Sequence, residues 1–265
     1  MKKSEFDMDN KVVQHNDLLS SLSSMDGVTL KLFEMCVSCL DTSVKDLKSV
    51  NIRKSDVFAM FEADDSKKYT RFRDHMRRLQ RQIITIYDPN SNKVSQHVAI
   101  PSVTWGLSDD NDRVIVEFNS HLLPYLLQLK ANFTQYEIGN IRKMRSKYAI
   151  ILYKLAKMHT WKSSSFTLTI AQLREYTDTK KDYLVFADFE KRVIKSAISE
   201  INGSGADLLI TYDKIKPSRK VTAIRFQIRR RNSYRDNDFD NPVYIGQSFQ
   251  DENTVDPAQI SLDDL

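Results

Sequence analysis

Glycine is scarce in this chain: six residues in 265, roughly a third of ordinary usage. That argues against a glycine-rich nucleotide-binding fold and against a β-sandwich full of tight turns. Cysteine is scarcer still, and two residues make no disulfide framework. No run approaches the ~18 apolar residues of a membrane span. Met1-Lys2-Lys3 is basic, but the apolar segment of a signal peptide does not follow. A soluble cytoplasmic protein without a membrane partner is therefore expected. There is no G-x-x-x-x-G-K-[ST] phosphate loop. The five histidines (His15, His75, His97, His121, His159) are far apart, with no H-x-H or H-E-x-x-H to bring two imidazoles to one metal. No metal or other cofactor is expected. A DNA-nicking enzyme would need clustered histidine ligands beside a nucleophilic tyrosine, and only the tyrosines are plentiful. The expectation is a protein without catalysis. Cys36-Val-Ser-Cys39 is a lone C-x-x-C inside an apolar helical stripe, which reads as two core cysteines.

What is present is core and charge. Hydrophobic residues make up 41 % of the chain, and 265 residues suit about two domains. The net charge of +5 is unevenly spread. Residues 1–127 hold 17 Lys and Arg against 18 Asp and Glu, whereas residues 128–231 hold 22 against 9. Residues 232–265 hold one base, Arg235, and eight acids. A segment of about 100 residues carrying +13 points to a polyanion partner, nucleic acid first.

The chain states one pattern twice. In the first half Leu32, Met35, Cys36, Cys39 and Leu40 fall at helical spacing. A short helix over 56–61 follows, then a third helix with Phe72, Met76, Leu79 and Ile83 on one stripe. Strand-like runs at 83–87 and 113–118 lie around the turn-rich Asp88-Pro89-Asn90. In the second half Tyr148, Ile151, Leu152, Leu155 and Ala156 repeat the first helix. A short helix over 170–176 follows, N-capped by Thr169. The third helix starts after Asp188, carries Phe189, Val193, Ala197 and Ile201, and stops at Asn202-Gly203. Runs 208–215 and 221–228 alternate as a hairpin around Lys216-Pro217-Ser218. Three helices and a hairpin, twice, predict an α+β, mainly helical fold of two tandem winged helices related by pseudo-duplication. The expected divisions are a flexible lead-in over 1–9, a first winged helix over 10–130 with a linking helix at 121–129, a second over 131–231, and a disordered acidic tail over 232–265.

The binding candidates follow from this frame. Lys191, Arg192 and Lys195 lie off the apolar stripe of the later third helix, as a recognition helix in a major groove requires. Lys180, Lys181 and Tyr183 come from the turn before it. The hairpin tip supplies Lys216, Arg219 and Lys220 as a basic wing for phosphates or the minor groove. Arg142, Lys143, Arg145 and Lys147 precede the first helix of this half. In the first half Arg71, Arg73, Arg77, Arg78 and Arg81 line the third helix, where phosphate contact and plain solvated basicity are equally good readings. The hairpin of that half offers a strand edge for a protein interface.

Several stretches resemble a known family. These are Asn10-Lys-Val-Val-Gln-His-Asn-Asp-Leu18, Phe118-Asn119, Pro124-Tyr-Leu-Leu-Gln-Leu-Lys130, Phe133-Thr134 and Ser146-Lys-Tyr-Ala149 with Leu152-Tyr153. Asp188-Phe-Glu-Lys-Arg-Val-Ile194, Glu200-Ile-Asn202, Ile215-Lys216 and Arg219-Lys-Val221 complete the set. Together they resemble the iteron-binding plasmid theta-replication initiators built from two winged helices, in the version carried by plasmids of Gram-positive bacteria. The resemblance spans about residues 10–228. It implies a non-enzymatic protein that binds directly repeated double-stranded origin sites, helps open the adjacent duplex and recruits host replication proteins. It implies further that the second winged helix reads sequence, that the first touches the DNA backbone or forms a dimer interface, and that dimers repress the protein's own gene. Ile151 stands where the family often has Arg, so any such contact is absent here or moved to Arg145 or Lys147. The alternative is a winged-helix transcription regulator on an inverted repeat. The tail lies beyond the resemblance; Gln259-Ile-Ser-Leu262 reads as a chance likeness to a clamp-docking peptide, and a segment of net −7 is expected to compete with DNA for the basic half.

Overall fold

In this computed structural model the structure describes residues 6–44, 47–62, 66–88, 92–107 and 111–231. The acidic tail, most of the lead-in and the Pro89-Asn90 turn lie outside the described residues.

The first half opens with β1 (Lys11–His15) and the short α1 (Leu18–Leu22), then α2 (Gly27–Ser38), β2 (Ser49–Arg53), α3 (Lys54–Met60) and α4 (Lys68–Gln80). Strands β3 (Ile83–Asp88), β4 (Lys93–Val98), β5 (Ser102–Trp105) and β6 (Arg113–Glu117) follow. A 3-10 helix, Ser120–Tyr125, leads to β7 (Phe133–Glu137) and a 3-10 turn, Ile138–Ile141. The second half has α5 (Lys147–His159), β8 (Ser165–Thr169) and α6 (Ile170–Tyr176). Its third helix is the run 186–204, made of α7 (Phe186–Phe189), a π-helical segment (Glu190–Lys195) and α8 (Ser196–Ser204). Strands β9 (Leu208–Ile215) and β10 (Ala223–Arg230) end the described chain.

The duplication is explicit in the sheets. The first half has the antiparallel order β2-β6-β5 and the second β8-β10-β9, so each strand has a counterpart in the same place. Both halves are winged helices. The first wing is β5–β6, which corrects the expected pairing of run 83–87 with run 113–118. Residues 83–88 pair instead with β4, from Ile83 opposite Val98 to Asp88 opposite Lys93, as a hairpin inserted only in the first half. β4 is exposed along most of its length and shows no apolar alternation, so it left no readable period.

Four element boundaries also differ from expectation. Ile83 leaves the helical stripe and stands 53 % exposed on β3. The linking segment is 3-10 over Ser120–Tyr125 rather than α-helical to residue 129. Pro124 brings no N–H to a ladder, and Gln128 sits at φ 53°, outside helical space. The third helix of the second half starts at Phe186 and passes through Gly203, ending where Gly205 takes φ 84°. The second wing strand is shifted two residues on, to Ala223–Arg230, by the pairing of Ala223 with Ile215.

The two first helices form the centre of the molecule. Thr29 to Ser38 of α2 and Ala149 to Ala156 of α5 are buried all round, because each helix is covered by its own half and by the other. Cys36 and Cys39 lie in this core as free thiols, and burial raises both pKa values, Cys39 to about 12. Each helix starts on a side-chain cap: Asp26 accepts from Val28 and Thr29 N–H at 2.9 and 3.0 Å, and Ser146 accepts from Tyr148 N–H at 3.1 Å. The helix starts meet at Gly27, where a Cβ would fall 2.3 Å from the Arg145 carbonyl oxygen, so only glycine permits the approach.

One buried ion pair bridges the halves. Lys154 of α5 donates to Glu34 of α2, with side chains 2 % and 0 % exposed. Each lies eight residues after its helix's cap, at equivalent places in the two repeats. Burial lowers the Lys154 pKa against the opposing pull of Glu34. Lys31 makes a second bridge, donating to the Arg142 carbonyl at 2.6 Å, and burial pushes its ammonium down to about 8. A third link is β1, which pairs antiparallel with β7 from Lys11 opposite Glu137 to His15 opposite Phe133. Val12, Gln14, Thr134 and Tyr136 of this ribbon face inward and are buried.

Candidate nucleic-acid interface

The helix-turn-helix of the second half is α6, a turn over 177–185 and the helix 186–204. A capping box starts α6: Gln172 N–H donates to the Thr169 hydroxyl at 3.1 Å, and Thr169 N–H donates to the Gln172 side chain at 2.9 Å. The turn reverses through Asp178 and Tyr183, both left-handed at φ 51° and 49°. Arg174 holds it shut. Its guanidinium donates to the carbonyls of Thr179 (3.0 Å), Asp182 (2.7 Å) and Tyr183 (2.7 Å) while covering the Phe189 ring at 4.4 Å.

The expected stripe of the third helix is buried: Phe189, Val193, Ala197 and Ile201 are 3 % exposed or less. A strict step of four overshoots the 3.6-residue α period. The wider π-helical turn at Glu190–Lys195 accommodates that step and keeps the stripe on one face. Lys191, Arg192 and Lys195 are exposed on the other side. The Arg192 guanidinium lies over the Tyr183 ring at 5.9 Å, so the turn residue positions the helix cation. Lys181 is exposed, and Lys180 is exposed beside Glu175 at 3.6 Å.

The helix is tied to the wing by Glu190, which is 8 % exposed. Its carboxylate accepts from the Tyr212 hydroxyl at 2.5 Å and the Lys214 ammonium at 3.1 Å, with Lys195 at 3.8 Å. Burial opposes its ionisation, but these donors outweigh burial and hold the carboxyl below its ordinary value. Beyond Lys214 the tip residues Lys216, Arg219 and Lys220 are exposed.

The segment before α5 divides. Arg145 and Lys143 are exposed. Lys147 is turned into the seam between the halves, 20 % exposed, donating to the Ser23 carbonyl at 3.1 Å with Asp178 at 3.7 Å. Arg142 is half-buried and donates to the Ala59 carbonyl at 3.3 Å. Ile151 is fully buried in α5, so it presents no side chain at the surface. In the first half Phe72, Met76 and Leu79 anchor α4, and Arg73, Arg77, Arg78 and Arg81 are exposed, with Arg71 half-buried. Arg77 lies 3.8 Å from Asp74 and Arg78 4.0 Å from Asp26. Between β5 and β6 the sequence carries Asp109, Asp110 and Asp112, the opposite charge to the segment between β9 and β10.

Sequence reasoning missed the residues that hold these parts together. Arg174 left no signal, because its partners are loop carbonyls, and Glu190, inside the stretch Asp188–Ile194 that carries the resemblance, had no stated role because its partners lie on a later strand. Glu200 and Asn202 belong to a recognised stretch but carried no stated role. Glu200 accepts from the N–H groups of Arg145 and Ser146, capping α5 from the third helix. Asn202 exchanges two hydrogen bonds with the Ile210 backbone, at 2.8 and 2.9 Å, and so pins β9 to that helix. The histidines are not all apart in space: His97 and His121 stack at 4.2 Å and 14°, and line a cleft of about 350 Å³ with His15. Their rings lie face to face rather than converging on one point. Among the described residues no three His, Cys, Asp or Glu side chains are grouped to hold a metal ion, and no helix is long and apolar enough to cross a membrane.

Comparison with known proteins agrees with this architecture. Residues 11–157 match the family described as initiator replication protein, WH1, and residues 169–228 match initiator Rep protein, WH2. The fold is similar to that of a Pi initiator protein solved in complex with iteron DNA, with a TM-score of 0.71 and 18 % identity over 84 % of this chain and 98 % of that one. Domains 2 and 3 of RctB align with a TM-score of 0.45 and 13 % identity over 81 % of each chain.

Proposed function

The chain belongs to the replication initiator family with two winged-helix domains, and from that premise we propose that it binds directly repeated sites in double-stranded plasmid origin DNA. It acts in the cytoplasm and without catalysis. Copies on the repeats promote opening of the adjacent duplex and recruit host replication proteins, while self-associated dimers repress the protein's own gene. The observation that carries the reading is the helix 186–204, which buries one face and exposes Lys191, Arg192 and Lys195 on the other beside a basic wing. The solved relative binds iteron DNA, which supports the same substrate here. A footprint on the DNA just upstream of the coding frame tests it. Regular protection of direct repeats is expected, and protection of a single palindrome would make the protein a transcription regulator instead.

Three substitutions separate reading from holding. Arg192→Ala is expected to cost about 1–3 kcal/mol on the protected site and much less on random DNA, measured by titration at fixed salt. Equal losses on both would reduce Arg192 to a phosphate contact. Lys216→Ala and Lys220→Ala should weaken both kinds of site and flatten the slope of log K against log[salt] by about one unit per phosphate contact. A slope that stays put removes the wing from the interface.

A further inference from the structure

Two adjacent apolar side chains stand in the open at the start of the helix 186–204. Leu184 is 78 % exposed and Val185 is 63 % exposed. Both occupy places where folding stability favours something else. Val185 is the N-cap residue, and it offers no acceptor to the helix N–H groups. In the same half α5 and α6 both start on side-chain caps, Ser146 and Thr169. Leu184 precedes the cap, where an apolar side chain ordinarily folds down onto the residue four into the helix. Here that residue is Phe189, which is fully buried and covered by the Arg174 guanidinium at 4.4 Å, so Leu184 is left outside. Arg174 also holds the Tyr183 carbonyl at 2.7 Å, and so the backbone that presents the pair.

The surroundings identify what covers them. Exposed Lys180 and Lys181 precede the pair in sequence, and exposed Lys191, Arg192 and Lys195 follow it. Asp182 and Asp188 are exposed as well, but the five cations outnumber these two acids, and a net positive surround of an apolar patch suits a polyanion with apolar groups recessed between its charges. The first residues of a recognition helix are those that meet base edges. The major-groove edge of duplex DNA carries one apolar group, the thymine 5-methyl.

We infer that Leu184 and Val185 are specificity-determining residues that read the 5-methyl groups of thymines in the major groove. The inference rests on the proposed DNA-reading function and deepens it: the bound site contains thymine at one or two positions facing the helix start. Leu184 and Val185 bury their side chains against those methyls, while Arg192, positioned by Tyr183, reaches a neighbouring base or phosphate.

The test uses the full chain and the duplex it protects upstream of its coding frame, with deoxyuridine replacing thymine one position at a time. Uracil pairs as thymine does and lacks only the methyl. The unsubstituted protein should bind about fourfold more weakly for each methyl removed at one or two positions, the effect of burying one such group. The Leu184→Ala/Val185→Ala variant changes only exposed side chains. It should bind the thymine duplex about tenfold more weakly, and thymine and uracil versions alike. Indifference of the unsubstituted protein to uracil at every position overturns the inference, as does a variant that keeps full uracil sensitivity. A variant with normal single-site affinity but poorer filling of successive repeats also overturns it, and makes the patch a protein contact. If the unsubstituted protein fails to distinguish the protected duplex from a scrambled one, the DNA-reading function itself fails.

Discussion

Replacing Lys154 by methionine is expected to lower the stability of the folded chain by about 3–5 kcal/mol, because it leaves the Glu34 carboxylate in the core without its cation. The two side chains are 2 % and 0 % exposed, so water cannot substitute for the missing partner. The pair itself adds little net stability, since each ion gave up its hydration to reach the core. Replacing both, as Glu34→Leu with Lys154→Met, should therefore recover most of the loss. Urea unfolding of the two variants, compared at equal m-value, measures the difference. A single variant as stable as the parent would mean that Glu34 finds another partner or is neutral in the core. The consequence reaches function through geometry. Glu34 and Lys154 sit at equivalent places in the two repeats and clamp α2 against α5, so the single variant should also loosen the relation between the halves. A site contacted by both should then lose affinity, while one contacted by the second half alone keeps it.

Arg174→Ala should weaken specific DNA binding by about 10-fold or more and cost roughly 2 kcal/mol of stability, although this side chain lies off the exposed face of the helix 186–204. Its planar fork satisfies the carbonyls of Thr179, Asp182 and Tyr183 at once. Hydrogen bonds from a charged donor each contribute on the order of 1.5–3 kcal/mol when buried, and the partial exposure of Arg174 reduces that. Without it the turn over 177–185 relaxes, and Tyr183 no longer holds Arg192 in place. Arg174→Lys should fail to rescue binding, because one ammonium cannot reproduce the fork. Hydrogen exchange at the amides of 182–185 together with DNA titration at constant salt checks the mechanism. Lost affinity with unchanged exchange would show that Arg174 acts on DNA directly and not through the turn.

Much of the candidate interface was legible because helical recognition surfaces are written locally. Phe189, Val193, Ala197 and Ile201 mark the face to be buried, so Lys191, Arg192 and Lys195 fall on the other without any knowledge of the rest of the chain. The wing was legible for the same reason: alternation brackets a basic turn. Lys147 shows the limit. It belongs to the same run of cations as Arg145, yet it points into the seam toward Ser23 and Asp178, residues far away in sequence. The first wing was misread because β4 is exposed on nearly every residue, and a strand with no buried face carries no alternating signature.

Taken alone, the amino-acid order determined the doubled three-helix-and-wing plan, the concentration of positive charge in the later copy and the absence of a phosphate loop. Those properties depend on neighbours a few residues apart, where periodicity, capping residues and local charge act directly. Only the tertiary structure decided how the copies join: β1 against β7, Gly27 against Arg145, Glu34 against Lys154. The partners in these contacts are separated by about 120 residues. A period reveals which side of an element must be covered and says nothing of which element covers it.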